Sequence, residues 1–107
     1  MRILFDQGTP VPLRHSLTAH SVITAFEMGW SKLENGELLT TAEGKFDVLV
    51  TTDQNLRYQQ NLQGRLLAIL VLPTTNWLEI RNHVADVVVA VNSLQAGEYR
   101  ELRWGPG

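Results

Sequence analysis

Short apolar runs alternate along the chain with polar segments that carry helix signals. Each run is four to seven residues long, the usual length of a strand. The predicted strands are 2–5, 20–25, 47–52 and 66–72, with an alternating late edge strand at 98–103. Strands separated by helices are typical of a mainly parallel sheet. We therefore predict an α/β fold, a three-layer α/β/α sandwich with four to five strands, formed by residues 1–107 as a single domain.

The segments between the runs are predicted as helices and turns. They are a short helix at 12–17, a turn at 26–33, a helix at 37–43 capped by Asn35, a polar helix at 53–63 and a long helix at 77–94. For the long helix, Asn76 and Glu79 have the spacing of a capping box. Its valine-rich stretch 87–91 would also suit a strand. We favour a helix because the cap, the length and Gly97 after its end agree. Residues 104–107 are a predicted tail.

Composition excludes several classes of protein. The 107 residues carry eleven acidic and nine basic side chains, a net charge of −2, which excludes a basic protein that coats nucleic acid. The absence of cysteine excludes a disulfide scaffold and a cysteine-ligated zinc site. The three histidines lack ligand spacing. Since the apolar run 66–72 is far shorter than the ~20 residues of a membrane span and no signal peptide is visible, we expect a cytoplasmic protein without a membrane partner.

Two acidic residues directly follow predicted strands. Asp6 follows the first strand and Asp53 follows the third, and ligands of such sheets bind outside the carboxyl ends of the strands. If the two strands are neighbours, the carboxylates converge. Two carboxylates about 4 Å apart repel by roughly 4 kcal/mol at an effective dielectric constant near 20, so a proton, a base or a divalent cation must compensate them. Glu37 is the obvious third ligand for Mg²⁺ or Mn²⁺. Alternatively, the two aspartates only cap helices.

Three sequence stretches resemble the PIN-like nuclease superfamily, and specifically a short PIN-like family of unknown function related to VapC-type toxin ribonucleases. They are RILFDQGTPVPLR (2–14), NGELLTTAE (35–43) and FDVLVTTDQNL (46–56). The resemblance implies a PIN-like fold, Mg²⁺- or Mn²⁺-dependent cleavage of RNA and pairing with a small antitoxin protein. By position, Asp6 matches the acid of the family's first strand, and Asp53 matches its Thr-x-Asp acid.

The chain departs from the family's pattern at three positions. Where relatives often have Asp-Glu-Asn-Leu-Pro after the first strand, this chain has Asp-Gln-Gly-Thr-Pro, so Gln7 stands in place of the Glu. Asn35 stands where the middle Asp is expected, and Asn55 stands where a second acid often follows Thr-x-Asp. Glu37 is then the nearest carboxylate to the middle motif. Amide oxygens ligate hard cations without the charge that drives affinity. We therefore expect a less negative site, with weaker metal binding or with lost or altered activity.

The first functional hypothesis is a metal-dependent ribonuclease, the toxin of a toxin–antitoxin pair. Its predicted catalytic residues and metal ligands are Asp6, Glu37 and Asp53. The predicted supporting or substrate-contacting residues are Gln7, Asn35, Thr52, Asn55 and Arg57. The alternative is a catalytically silent PIN-like module that acts through protein contacts, and a homodimer is a further predicted assembly. A flavodoxin-like or receiver-like protein ranks lower because the expected lysine after a late strand is missing.

Several side chains keep two interpretations. Arg57, one helical turn after Asp53, either meets a phosphate or neutralises Asp53. Tyr58 and Trp30 either stack on unpaired bases or pack in the core, and core packing is favoured. Arg14 is expected on a solvated helix face rather than at a substrate.

Overall fold

The centre of the molecule is a five-stranded, all-parallel sheet. The computed structural model describes residues 1–59 and 61–104. The strands are β1 (Arg2–Phe5), β2 (Ser21–Thr24), β3 (Val48–Thr51), β4 (Ala68–Val71) and β5 (Tyr99–Glu101), in the order β2-β1-β3-β4-β5. All five predicted strands form: β1 has the predicted bounds, and the other four are shorter than predicted. The α/β fold predicted from the sequence is confirmed.

Helices cover both faces of the sheet. They are a 3₁₀ helix (Val11–Ser16), α1 (Asn35–Ala42), α2 (Leu56–Gln59), α3 (Trp77–Arg81) and α4 (Val84–Ser93). The side chains of β1 alternate between the two layers: Ile3 and Phe5 pack with the 3₁₀ helix, α3 and α4, whereas Leu4 packs with α1 and α2. All three are fully buried, as expected for a central strand covered on both faces. None of the helices described is long and apolar enough to cross a membrane.

The strand order places a crevice between β1 and β3. From β1 the chain moves outward to β2, then returns past β1 to form β3 on its other side. Ligand sites of open α/β sheets lie at such a reversal, outside the carboxyl ends of the two strands. Phe5 is opposite Val50 in the register, so Asp6, which directly follows β1, lies next to Thr51, the last residue of β3.

The prediction of one continuous helix at 77–94 is wrong, because the structure has two helices there, α3 and α4. The chain leaves the helical conformation at His83, whose ring stacks on Trp104 with the ring centroids 4.4 Å apart. Asparagine and histidine are weak helix formers, which allows the break at this stacked side chain. The valine-rich stretch 87–91 is helical, as favoured, and it buries Val87 and Val91 against the sheet.

The predicted capping box at 76–79 forms only in part. Asn76 caps α3, since its Oδ1 accepts a hydrogen bond of 2.9 Å from the backbone N–H of Leu78. The carboxylate of Glu79 instead accepts a bond of 3.1 Å from Nε1 of Trp104. Trp104, predicted as part of a tail, therefore packs on the molecule, while residues 105–107 of that tail lie outside the described residues.

The polar helix predicted at 53–63 is much shorter in the structure, where only α2 is helical and Gln60 lies outside the described residues. An Asx turn comes first, because Oδ1 of Asp53 accepts the backbone N–H of Asn55. Leu56 is buried, but Tyr58 is 76% exposed, so the predicted core packing of Tyr58 is wrong. With one turn of helix, Tyr58 lies on the side away from the sheet.

Replacing Gly97 by alanine is expected to destabilise the fold more than the same change at Gly29. Both glycines have a φ of +76°, which costs an L residue about 1–2 kcal/mol. At Gly97 a new Cβ would also lie 2.7 Å from the carbonyl oxygen of Arg65, whereas at Gly29 it meets no atom within 4 Å. Urea unfolding of the two variants measures the difference. Equal losses of unfolding free energy would show that the contact with Arg65 is unimportant.

Candidate active site

Asp6 is held at the end of β1 by two threonine hydroxyls. Thr51 donates to Oδ2, and Thr9 donates to Oδ1 over 2.7 Å. The hydroxyl of Thr9 also lies 2.9 Å from the carbonyl oxygen of Val50, which accepts the backbone N–H of Asp6 as well. The loop after β1 is thereby fixed onto β3. Thr9 was not predicted from the sequence, although its position three residues after Asp6, in a turn, is typical of such a contact.

Burial raises the pKa of Asp6 above its ordinary value, although hydrogen bonds from Thr51 and Thr9 favour the ionised form. Among residues 1–59 and 61–104, no basic side chain forms an ion pair with Asp6 or with Asp53. Burial therefore destabilises the ionised form of Asp6, and none of these ion pairs offsets that effect. A proton or a bound cation would offset it.

The raised pKa predicts how Asp6 affects stability with pH. The folded protein holds this proton at pH values where the unfolded chain, with a pKa near 3.8, has lost it. Asp6 therefore contributes fully to the free energy of unfolding only below about pH 3.8. That contribution is lost as the pH rises through the pKa that Asp6 has in the folded protein. We expect Asp6→Asn to become more stable relative to the wild type between pH 4 and pH 7, measured by urea unfolding. A constant difference between the two proteins would contradict the raised pKa.

Asp53 lies two residues after the end of β3, and its carboxylate is held by amide groups. Its Oδ2 accepts a bond of 2.6 Å from Nδ2 of Asn35, and its Oδ1 accepts one of 2.9 Å from the backbone N–H of Asn55. The backbone N–H of Asp53 donates to Oγ1 of Thr51 over 3.1 Å. The hydroxyl of Thr51 is thus shared between the side chain of Asp6 and the backbone of Asp53, so both aspartates belong to one edge of the sheet.

Asn35 has a different role from the helix cap predicted for it. Glu34 occupies the N-cap position of α1 and makes no capping bond with its side chain, while Asn35 is the first residue of the helix. The start of α1 lies close to the end of β3, and a hydrogen bond to a carboxylate is stronger than a neutral cap. The amide of Asn35 therefore turns to Asp53, presenting its N–H group rather than its oxygen.

The predicted third acid does not join the pair. Glu37 is an exposed side chain in the first turn of α1. Among the described residues, no three histidine, aspartate or glutamate side chains lie close enough together to hold a metal ion. Asp6 and Asp53 are brought together through Thr51, and the cluster of three carboxylates expected with Glu37 is not formed in this arrangement.

Arg57 pairs with an acid other than Asp53. Its Nη1 lies 3.4 Å from Oε1 of Glu101, and its guanidinium group lies over the rings of Tyr58 and Tyr99 at 5.3 and 5.7 Å. The prediction that Arg57 neutralises Asp53 is therefore wrong. Half of its side chain is exposed at the carboxyl edge of the sheet, where a phosphate could reach it.

Two pockets meet at the loop after β1, and both are lined by Asp6 and Gln7. One, of about 190 Å³, extends towards α1 and includes Trp30 and Asn35 in its wall. Trp30 also packs edge-on against Phe46, with ring centroids 6.0 Å apart, in line with its predicted core packing.

The second pocket, of about 360 Å³, extends towards β2 and includes Arg14 and Phe26. Arg14 is not merely solvated, because it forms a two-pronged ion pair with Glu27 over 2.9 and 3.2 Å. Among the remaining predicted residues, the side chain of Asn55 is exposed, and Thr52 lies next to Gly8, where an added Cβ would meet its Oγ1 at 2.5 Å.

The arrangement places Asp6 and Asp53 at the crevice of a parallel sheet, where the hydroxyl of Thr51 bonds to the carboxylate of Asp6 and to the backbone of Asp53. Asp6 also lines the two pockets beside the crevice. No protein-family model matches the chain, and no significant match was found among curated proteins or solved structures. The resemblance to the PIN-like superfamily therefore remains a prediction from the sequence motifs. Chemically, two carboxylates without a basic partner are suited to a divalent cation.

Proposed function

We propose that the protein is a metal-dependent ribonuclease in which Asp6 and Asp53 hold Mg²⁺ or Mn²⁺. One observation carries this proposal: the hydroxyl of Thr51 joins the two aspartates at the crevice between β1 and β3. Their carboxylates have no basic partner among the described residues. The sequence resemblance supports the choice of an RNA phosphodiester as the substrate.

The residues fit a hard divalent cation. Such ions take carboxylate oxygens and keep several waters, so two carboxylates can suffice. Burial raises the pKa of Asp6, and no ion pair within residues 1–59 and 61–104 involves its carboxylate. When bound, the cation would lower the pKa of water and stabilise negative charge on a phosphoryl group. Glu37 could add a third carboxylate only after its exposed side chain turns towards the crevice.

The other residues would position the two carboxylates and the substrate. Thr9 and Thr51 fix both oxygens of Asp6, while Asn35 and the backbone of Asn55 fix those of Asp53. Metal ligands that are already held in place lose little conformational entropy when a cation binds. The side chains at the rim, the exposed Gln7 and Arg57 and the half-buried Thr52, would contact the phosphodiester backbone.

The proposal includes the partners implied by the resemblance. As a toxin, the protein would act in the cytoplasm and be held inactive by a small antitoxin. Exposed apolar side chains on α3 and α4, Leu78 at 62% and Val89 at 66%, could contact such a protein or a second copy of this chain.

Adding Mn²⁺ is expected to raise the melting temperature of the wild-type protein. A ligand at one hundred times its dissociation constant adds about 2.7 kcal/mol to the unfolding free energy. Because both aspartates are needed, Asp6→Asn and Asp53→Asn should each remove most of the increase, measured by differential scanning calorimetry with millimolar MnCl₂. A wild-type protein with no increase would contradict the metal site.

A second candidate function, a catalytically silent binding module, is favoured by one observation. The side chain of Asn35 donates to Asp53 over 2.6 Å, so this carboxylate is already satisfied by a neutral group. In that case Mn²⁺ leaves the melting temperature unchanged and RNA stays intact. The calorimetric experiment therefore separates the two functions before any substrate is known.

A further inference from the structure

The pocket beside β2 has a feature that hydrolysis at the two aspartates does not need, an exposed aromatic ring. Phe26 is 76% exposed and forms part of the wall, together with Val11 and Arg14. The pocket shares Asp6 and Gln7 with the crevice, so a ligand in it would adjoin a phosphodiester bound at the aspartates. Its volume of about 360 Å³ lies in the range of small-molecule sites.

We propose that this pocket receives one unpaired nucleobase of the substrate, stacked on Phe26, and that Glu27 selects a base with an exocyclic amino group. This inference rests on the proposed function for its substrate class. It adds a subsite, a base preference and two residues that the sequence resemblance did not identify.

The backbone around Phe26 is fixed, which suits a stacking platform. The N–H of Ala25 donates to the carbonyl of Phe5 over 2.8 Å, and the N–H of Met28 donates to that of Thr24 over 3.1 Å. Ala25 is buried and Met28 packs against the α1 layer, so these two side chains anchor the turn while the ring of Phe26 remains outside. A rigidly presented aromatic face binds a base without a large ordering cost.

Glu27 retains one free acceptor position in this pocket. Its Oε1 accepts the backbone N–H of Thr24 over 2.9 Å and Nη2 of Arg14 over 2.9 Å. Within the part of the chain that the structure describes, its Oε2 accepts only Nη1 of Arg14, over 3.2 Å. A carboxylate has about four acceptor sites, so one site on Oε2 is open. The same hydrogen bonds lower the pKa of Glu27, which keeps it ionised at neutral pH.

An ionised acceptor distinguishes the two pyrimidines. Cytosine presents an N4 amino group, for which a glutamate carboxylate is the usual partner, while uracil presents an oxygen at the same position. Both bases stack on an aromatic ring through faces of similar size. We therefore expect a cytosine in this pocket to bind more tightly than a uracil. Stacking on Phe26 would stabilise both bases, and the hydrogen bond to Glu27 would stabilise cytosine alone.

The test is equilibrium binding of fluorescein-labelled octacytidylate and octauridylate in EDTA, followed by fluorescence anisotropy. We expect the wild-type protein to prefer octacytidylate, and Phe26→Ala to weaken both complexes about fivefold or more, the lower range for loss of one stacked base. Phe26→Trp should retain binding, and Glu27→Gln should reduce the preference for cytosine. Leu66→Ala, which removes a side chain 72% exposed two residues before β4, is the control and should change neither complex.

Three results would overturn the subsite: no binding of either oligonucleotide, equal affinity for both with the wild-type protein, or binding by Phe26→Ala equal to that of the wild type. A melting curve of each variant verifies its fold. If RNA is cleaved with Mn²⁺ and the Phe26→Ala variant cleaves and binds like the wild type, the subsite is wrong and the proposed ribonuclease activity stands. If binding depends on Phe26 but no RNA is cleaved, the subsite is supported and the proposed ribonuclease activity is wrong, which favours the silent binding module.

Discussion

Replacing Asp53 by asparagine is expected to reduce manganese-dependent cleavage of RNA by more than about a hundredfold. Even a residue that only orients a metal ligand is worth 10- to 100-fold in affinity or activity, and Asp53 is proposed to be a ligand itself. Initial rates on a labelled single-stranded RNA, with and without 5 mM MnCl₂ as roughly the concentration that saturates weak carboxylate sites, measure the effect.

The fold should survive this substitution, because Oδ1 of an asparagine can still accept the backbone N–H of Asn55. A matched control is Asp47→Asn. Asp47 accepts the backbone N–H of Arg2 over 2.7 Å at the opposite end of the sheet, so this variant removes the same charge far from the crevice. Cleavage by Asp53→Asn at the wild-type rate, or an equal loss in both variants, would contradict a metal site at Asp53.

The positions of Asp6 and Asp53 could be predicted because they follow from strand order. Apolar runs identify the strands, the parallel arrangement puts their carboxyl ends at one edge, and an acid directly after a strand must lie there. No local pattern sets which strands pair, so the sequence alone does not establish that β1 and β3 are neighbours. The structure shows that they pair, with Phe5 opposite Val50.

Side-chain contacts between distant segments could not be predicted in the same way. Asn35 has the composition of a helix cap, and only its proximity to Asp53, eighteen residues later, gives it another partner. The position of Tyr58 depended on how long its helix is, and the Asx turn at Asp53 shortened it. His83 breaks the last helix where it meets Trp104, a contact across 21 residues that no periodicity encodes.

Replacing Asn35 by aspartate is expected to have two opposite large effects. Without metal, a carboxylate would face that of Asp53 at the position of the present 2.6 Å hydrogen bond. Two such charges about 4 Å apart repel by roughly 4 kcal/mol at an effective dielectric constant near 20, so the metal-free variant should lose up to about that much unfolding free energy at neutral pH. With Mn²⁺, the third carboxylate should bind the cation more tightly and return most of the lost stability.

Urea unfolding with EDTA or with MnCl₂ measures both effects on one variant. Asn61→Asp serves as the control, because it adds the same charge on the exposed segment after α2, away from the crevice. The dependence on metal is what matters, since a merely damaged fold would stay unstable in MnCl₂. A variant at position 35 that loses stability and does not regain it with Mn²⁺ would show that the crevice holds no cation, and would favour the silent module.

The most direct measurement of the central claim is a crystal structure of the wild-type protein soaked in MnCl₂, with anomalous diffraction data. We predict one anomalous peak between the carboxylates of Asp6 and Asp53, within about 2.0–2.6 Å of an oxygen of each, as expected for hard cations. The same map would show whether Glu37 turns inward to join them. A well-ordered crevice without an anomalous peak at saturating Mn²⁺, or a peak bound only elsewhere on the surface, would contradict the proposed metal site.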